Sequence, residues 1–113
     1  RLTLVLISHD LETVAYASDR VGVMYRGRLV EVIGGAEFRS DARHPYARYL
    51  LGLDEVIDVP FMEEGVHEHA HTMEDACPYL HACPHHRSEC HGIVPPFVEV
   101  APGHTVACHL ARR

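Results

Sequence analysis

The sequence predicts an α/β fold in which a buried strand, a helix and a β-hairpin are followed by a small irregular extension rich in cysteine. Three observations predict it. The apolar run Leu2–Ile7 has the composition of a strand buried on both faces. A polar turn then leads into a helical pattern and two apolar stretches on either side of a turn signal. Four cysteines and several prolines dominate the last third of the chain.

The helix is predicted over Leu11 to Ser18. Its apolar face comprises Leu11, Val14, Ala15 and Ser18, and Asp10 or Ser8 is placed to cap its first turn. Two strands, 21–25 and 28–32, follow on either side of Arg26 and Gly27, which predicts a hairpin.

Two short helices are predicted to pack on that hairpin. Gly34 and Gly35 end the strand pattern, and residues 36–39 have the length of one helical turn. Pro45 is suited to the first turn of a second helix, since proline lacks only a hydrogen bond that is unmade there anyway. Tyr46, Leu50 and Leu51 follow it at helical spacing.

The rest of the chain shows little periodicity. Acidic residues and histidines alternate over 54–75, which is typical of a solvated loop. Residues 77–108 are poor in apolar side chains and contain five prolines. We therefore expect their structure to be stabilised by an interaction other than hydrophobic burial.

Composition excludes two classes of protein. The net charge of −6 gives no electrostatic support for binding nucleic acid. No apolar run reaches the roughly 20 residues of a membrane span, and no charged stretch followed by an apolar one marks a signal peptide within these residues. Four cysteines without a secretion signal favour metal ligands over disulfides. Because Arg1 already lies inside a strand pattern, the sequence is expected to be a fragment.

His9 is the candidate catalytic and nucleotide-contacting residue. It follows a predicted buried strand, and open α/β sheets bind ligands beyond the carboxyl ends of their strands. The alternative is that His9 is a loop residue bonded to a backbone carbonyl.

Residues 6–34 resemble the switch-histidine segment of ABC transporter ATPases, in which a strand ends in a T/S-H-D turn before a helix and a D-R-V-x-V-M-Y-x-G-R hairpin. The resemblance implies that His9 contacts the γ-phosphate of ATP and that Asp10 has a structural role. His44-Pro45-Tyr46 and the following residues resemble the H-P-Y-T-x-x-L-L segment of oligopeptide and dipeptide importer ATPases.

The tail is similar to the C-x-F-x-x-R-C-P and A-P-G-H-x-V-A-C-H segments of the same importers, although Ala82 replaces the arginine. Its cysteines, Cys77, Cys83, Cys90 and Cys108, are spaced C-x5-C-x6-C-x17-C, wider than common zinc knuckles. Four thiolates suit zinc or an iron–sulfur cluster. The resemblance favours a four-iron four-sulfur cluster, with zinc, or thiols that bind nothing, as the alternatives.

Seven histidines raise a separate hypothesis of a regulatory metal site, and its alternative is a solvated surface; they are His67, His69, His71, His81, His85, His86 and His91.

The resemblance implies a division into four segments. Residues 1–35 would be the end of the ATPase core, 36–58 the His-Pro-Tyr helical segment, 59–76 an acidic and histidine-rich loop, and 77–113 the metal-binding tail. The sequence contains no GxxxxGK phosphate loop and no LSGGQ-type signature. The fragment alone is therefore expected to be inactive, with ATP and Mg²⁺ held mainly by upstream residues.

The function implied is ATP hydrolysis that powers peptide import from the cytoplasmic face of the membrane. The implied partners are a homologous ATPase subunit, forming a dimer, and transmembrane permease subunits, with the peptide delivered by a binding protein. Nickel and glutathione are the alternative substrates. A structural iron–sulfur or zinc module without catalytic activity is the alternative function.

Overall fold

A four-stranded antiparallel sheet organises the computed structural model, which describes residues 2–53, 77, 79, 82–85, 87–91 and 94–109. Its strands, in the order β1-β2-β4-β3, are β1 (Arg20–Tyr25), β2 (Arg28–Gly34), β3 (Val98–Ala101) and β4 (His104–Val106). The described residues also form α1 (Leu11–Ala17), α2 (Phe38–Asp41), α3 (Pro45–Leu50) and a 3-10 helix (Ser88–His91).

The predicted hairpin is confirmed. β1 and β2 pair antiparallel with Val21 opposite Ile33, and the turn between them consists of Arg26 and Gly27. Both turn residues have positive φ angles, 49° and 79°, which match the twist of a two-residue hairpin. Glycine adopts such an angle without steric cost, which explains Gly27 at the second position.

The main hydrophobic core lies between this hairpin and the two helices after it. Its fully buried members come from β1, β2, α2 and the segment through α3, and they are Val21, Val23, Val30, Ile33, Phe38, Ala42 and Ala47. Leu11, Val14 and Ala15 of α1 pack against them, together with Tyr46, Leu50 and Leu51. The predicted packing of both short helices on the hairpin is therefore confirmed.

The helices begin close to the predicted positions. Asp10 caps α1, as expected, and the predicted apolar face of α1 is the less exposed one. α2 begins at Phe38 and not at Ala36, because the Gly35 turn extends through Glu37. Pro45 occupies the first turn of α3, where its fixed φ angle suits the helix.

The prediction that Leu2–Ile7 forms a buried strand is wrong for this structure. The segment has no regular secondary structure, and Leu2 and Ile7 are 98% and 94% exposed. A strand needs a neighbour to accept its backbone hydrogen bonds, and no described strand pairs with this segment. All strand pairs of the described sheet are therefore antiparallel, whereas parallel strand pairs are typical of α/β folds.

The prediction that the cysteine-rich extension is irregular is wrong for residues 98–106. β3 and β4 form a hairpin around Pro102 and Gly103, and β4 pairs with β2, placing Val106 opposite Glu31. Segments 1–35 and 77–113 therefore contribute strands to the same sheet. The pairing of β4 with β2 stabilises the tail hairpin, although the local composition does not predict regular structure there.

The loop predicted over 54–75 lies outside the described residues, as do His67, His69, His71, His81 and His86. In the part of the chain that is described, no helix is long and apolar enough to cross a membrane.

Candidate functional site

His9 lies on an exposed turn directly before α1. The turn is fixed on the helix side by Asp10, whose carboxylate accepts hydrogen bonds from the backbone N–H of Thr13, at 3.3 Å, and from its hydroxyl, at 2.8 Å. These hydrogen bonds lower the pKa of Asp10, the hydroxyl bond most. The Asp10 backbone N–H donates to Ser8 Oγ at 3.0 Å. The helix cap predicted for Asp10 is therefore confirmed.

The helix behind His9 is itself held in place by two contacts with the rest of the fold. The Gly35 N–H donates to the carbonyl of Asp19, just beyond the end of α1, at 3.0 Å. Arg39 of α2 pairs with Glu12 of α1 at 2.5 Å on the surface. An imidazole on a capped turn before an anchored helix can donate a hydrogen bond to an anion in solvent.

All four cysteines are buried and form no disulfide. Cys77, Cys83 and Cys90 pack in one cluster with Tyr79, whereas Cys108 packs beside Val106 after β4. The Cys77 N–H donates to the Cys90 carbonyl at 2.9 Å, which closes the loop between them. The four cysteines therefore come from two buried clusters.

Cys83 nonetheless interacts electrostatically with each of the other three cysteines. Burial raises the pKa of Cys83 to about 11, and the thiols of Cys108, Cys77 and Cys90 contribute to the rise. At neutral pH the Cys83 thiol is therefore protonated, unless a cationic group compensates its charge.

Within the described residues, no group of three or more His, Cys, Asp or Glu side chains is arranged to hold a metal ion. The structure therefore gives no support to the predicted iron–sulfur ligands Cys77, Cys83, Cys90 and Cys108 or to the zinc alternative.

Tyr79 lies at the centre of a group of buried and partly buried aromatic residues beside these cysteines. Its ring centroid is 5.1 Å from that of Tyr25, 5.4 Å from Tyr46 and 5.6 Å from His44. Its hydroxyl is buried and has no hydrogen-bond partner in the described part of the chain. Burial raises the pKa of Tyr79 to about 12, and Cys83 contributes more to that rise than the neighbouring tyrosines do.

His44 connects this aromatic group to α3. Its Nδ1 accepts a hydrogen bond from the Tyr46 N–H at 3.0 Å, which caps the helix, and burial lowers the pKa of His44 to about 4. The ring is therefore neutral at pH 7, as an acceptor at Nδ1 requires.

Comparison with known proteins identifies relatives of the chain. No protein-family model matches it. It is 36% identical over 116 residues to the oligopeptide transport ATP-binding protein AppF of Bacillus subtilis, covering 96% of this chain and 35% of that protein. It is 31% identical over 113 residues to the dipeptide transport ATP-binding protein DppD of the same organism, covering 96% and 34%. The chain is a homologue of peptide-transport ATP-binding proteins. The resemblance predicted from the sequence is confirmed.

A third relative of the chain is a putative peptide import ATP-binding protein of Brucella ovis. The two are 34% identical over 113 residues, which is 95% of this chain and 35% of the relative. The chain thus spans about a third of the length of the curated relatives it matches.

The sequence analysis did not predict two features of the structure. One is the unpartnered hydroxyl of Tyr79, which no local pattern indicates. The other is a buried pair between Glu31 and His104. A single acidic residue inside the apolar strand 28–34 is a signal for a buried partner, because isolated carboxylates are rarely buried.

Proposed function

We propose that the chain is the C-terminal part of the ATP-hydrolysing subunit of an ABC importer for oligopeptides or dipeptides. The homology to oligopeptide and dipeptide transport ATP-binding proteins over 95% to 96% of the chain carries this proposal. In it, His9 donates a hydrogen bond to the γ-phosphate of ATP. The exposed, capped turn before α1 supports that role, because it presents the imidazole to solvent on a fixed backbone.

Positioning and electrostatics are the main contributions that a protein makes to phosphoryl transfer. A histidine donor aimed at the phosphate oxygens stabilises the charge that spreads over them in the transition state. Mg²⁺ and the β-phosphate are held in this proposal by a phosphate loop that these 113 residues do not contain. The chain alone is then inactive, and ATP hydrolysis belongs to the intact subunit.

The same proposal assigns the partners. The intact subunit pairs with a homologous ATPase subunit and drives transmembrane permease subunits at the cytoplasmic face of the membrane. The peptide reaches the permease through a separate binding protein.

Peptide uptake by cells tests this proposal. In a strain that depends on the importer, His9→Ala in the intact subunit should abolish uptake of a labelled di- or oligopeptide. His85→Ala is the matched control, since His85 is also exposed but lies in the cysteine segment. Normal uptake by the His9→Ala strain would contradict the role of His9. Uptake of nickel or glutathione and not of peptides would contradict the substrate.

A second proposal concerns the tail, in which the four cysteines hold an iron–sulfur cluster that orders it. The burial of all four cysteines and the electrostatic interaction of Cys83 with the other three support this. Such a cluster would supply the positive charge that stabilises four buried thiolates. Anaerobically purified protein should then contain iron and sulfide and absorb broadly in the visible, and Cys83→Ser should remove both. One zinc per chain would favour the zinc alternative.

A further inference from the structure

Ser8 is linked to Asp10 by a hydrogen bond that spans His9. The Asp10 backbone N–H donates to Ser8 Oγ at 3.0 Å. A serine hydroxyl that accepts the N–H two residues later closes a small turn, and the ring that it closes includes both backbone dihedral angles of the residue between them. The chain bends at His9. The Ser8 side chain therefore constrains the backbone conformation of His9.

Asp10, at the other end of this hydrogen bond, is fixed to α1. Its carbonyl accepts the backbone N–H of Val14 at 3.0 Å, which is the first hydrogen bond of the helix. Its carboxylate accepts the backbone N–H and the hydroxyl of Thr13. Because the N–H, the carbonyl and the carboxylate of Asp10 all have partners, the turn is continuous with the helix. The Cα–Cβ bond of His9 therefore has a fixed direction relative to α1.

The residues before Ser8 do not supply the same constraint. Leu2–Ile7 has no regular secondary structure, and no described strand pairs with it. The hydrogen bonds that connect the turn to α1 are those of Ser8 and Asp10. Ser8 itself is exposed, so removing its hydroxyl opens no cavity in the core. Its contribution is therefore to the geometry of the turn and not to packing.

We propose that Ser8 is a positioning residue for His9: its hydroxyl holds the His9 backbone in the conformation from which the imidazole donates to the γ-phosphate. This inference rests on the role proposed for His9 in ATP hydrolysis. An imidazole on an unconstrained backbone is aimed at the phosphate for only part of the time, so loss of the turn lowers the rate of the chemical step. ATP binding should change little, because the phosphate loop lies outside these residues.

The test is steady-state ATP hydrolysis by the intact subunit, assembled with the permease subunits proposed as its partners. Ser8→Ala removes the acceptor of the Asp10 N–H, and we expect kcat to fall about 10-fold while KM for ATP stays within about twofold of the wild type. Ser8→Thr keeps the hydroxyl and should keep the wild-type kcat. Ser40→Ala is the matched control, because it removes another exposed serine hydroxyl that bonds locally, to the carbonyl of Glu37, and its kcat should equal that of the wild type.

A double variant shows whether Ser8 acts through His9. Adding Ser8→Ala to His9→Ala should lower kcat no further, since there is no imidazole left to position. The same loss in both backgrounds, or an equal loss in Ser8→Ala and Ser8→Thr, would overturn this inference. A wild-type kcat in Ser8→Ala beside a low one in His9→Ala would also overturn it and leave the role of His9 intact. A wild-type kcat in His9→Ala would overturn the proposed function, and the inference with it.

Discussion

The carboxylate of Glu31 and the imidazole of His104 form a buried pair that joins β2 to β4, with Oε1 and Nε2 2.5 Å apart. Glu31 is 0% exposed and His104 6%. The same carboxylate accepts the backbone N–H of Arg43 at 2.8 Å and that of His44 at 3.1 Å. One side chain therefore connects the first hairpin, the start of α3 and the tail hairpin.

Removing either partner of this pair should destabilise the protein, because the other is left buried without its partner. Glu31→Ala and His104→Ala are each expected to lower the free energy of unfolding by about 3 kcal/mol. The double variant should lose less than the two single losses together, since neither polar group then remains unpaired. Urea unfolding of the four proteins measures this coupling.

The surface pair of Glu12 and Arg39 is the control for that cycle. Both side chains are well exposed, at 71% and 61%, so water and salt screen their attraction. Their coupling should not exceed about 1 kcal/mol. Equal coupling free energies in the two pairs would contradict the view that the contact between Glu31 and His104 stabilises the attachment of the tail hairpin to β2.

The stability of the protein should fall in mild acid because of His44. Burial lowers its pKa from 6.5 to about 4, so between these values the unfolded chain binds a proton that the folded chain does not. The contribution of His44 to stability is therefore complete above pH 6.5 and is lost as the pH falls towards 4. The loss should reach about 3 kcal/mol below pH 4.

His44→Asn separates this titration from that of the carboxylates. Asparagine can still cap α3 with its side-chain oxygen but does not titrate. Unfolding free energies of the wild type and His44→Asn, measured from pH 7 to pH 4, should therefore show a steeper decline for the wild type. Parallel curves would show that His44 is not the group responsible.

Gly35 holds α1, and so the turn that carries His9, against the second half of the hairpin. A Cβ atom at position 35 would overlap the carbonyl oxygen of Ser18 and would lie 3.0 Å from that of Ala15. Gly35→Ala should cost about 1 to 3 kcal/mol, since backbone atoms cannot yield easily.

Gly34→Ala is the control for this variant, because its Cβ would meet only the side chain of Glu37, which can rotate away. Thermal unfolding compares the two proteins. A loss in Gly34→Ala as large as that in Gly35→Ala would contradict the specific contact with α1.

The sequence correctly predicts the helices and strands that are specified by residues close together in the chain. The hairpin around Gly27 and the proline-initiated α3 are specified by a turn residue and by side chains that share a face, and both form where expected. Leu2–Ile7 was predicted as a strand from its apolar composition, but a strand also needs partners, which are set by distant residues.

The tail hairpin could have been predicted in part. Val98 and Val100 alternate with a polar residue before Pro102 and Gly103, and Gly103 has the positive φ angle of a turn glycine, 72°. The prolines around it suggested irregular structure instead. The contact between Glu31 and His104 spans 73 residues, and no local pattern specifies which distant side chain forms a hydrogen bond with a buried carboxyl group.

The most direct test of the central claim is the ATP turnover of the intact subunit, assembled with the permease subunits proposed as its partners, in which His9 is replaced. His9→Ala should lower steady-state ATP hydrolysis by about 100-fold or more, the cost of losing one donor to a transition-state oxygen. Binding of a labelled ATP analogue should change little, because the phosphate loop lies outside these residues. A variant that hydrolyses ATP at the wild-type rate would contradict the account, and one that fails to bind the analogue would move His9 from catalysis to binding.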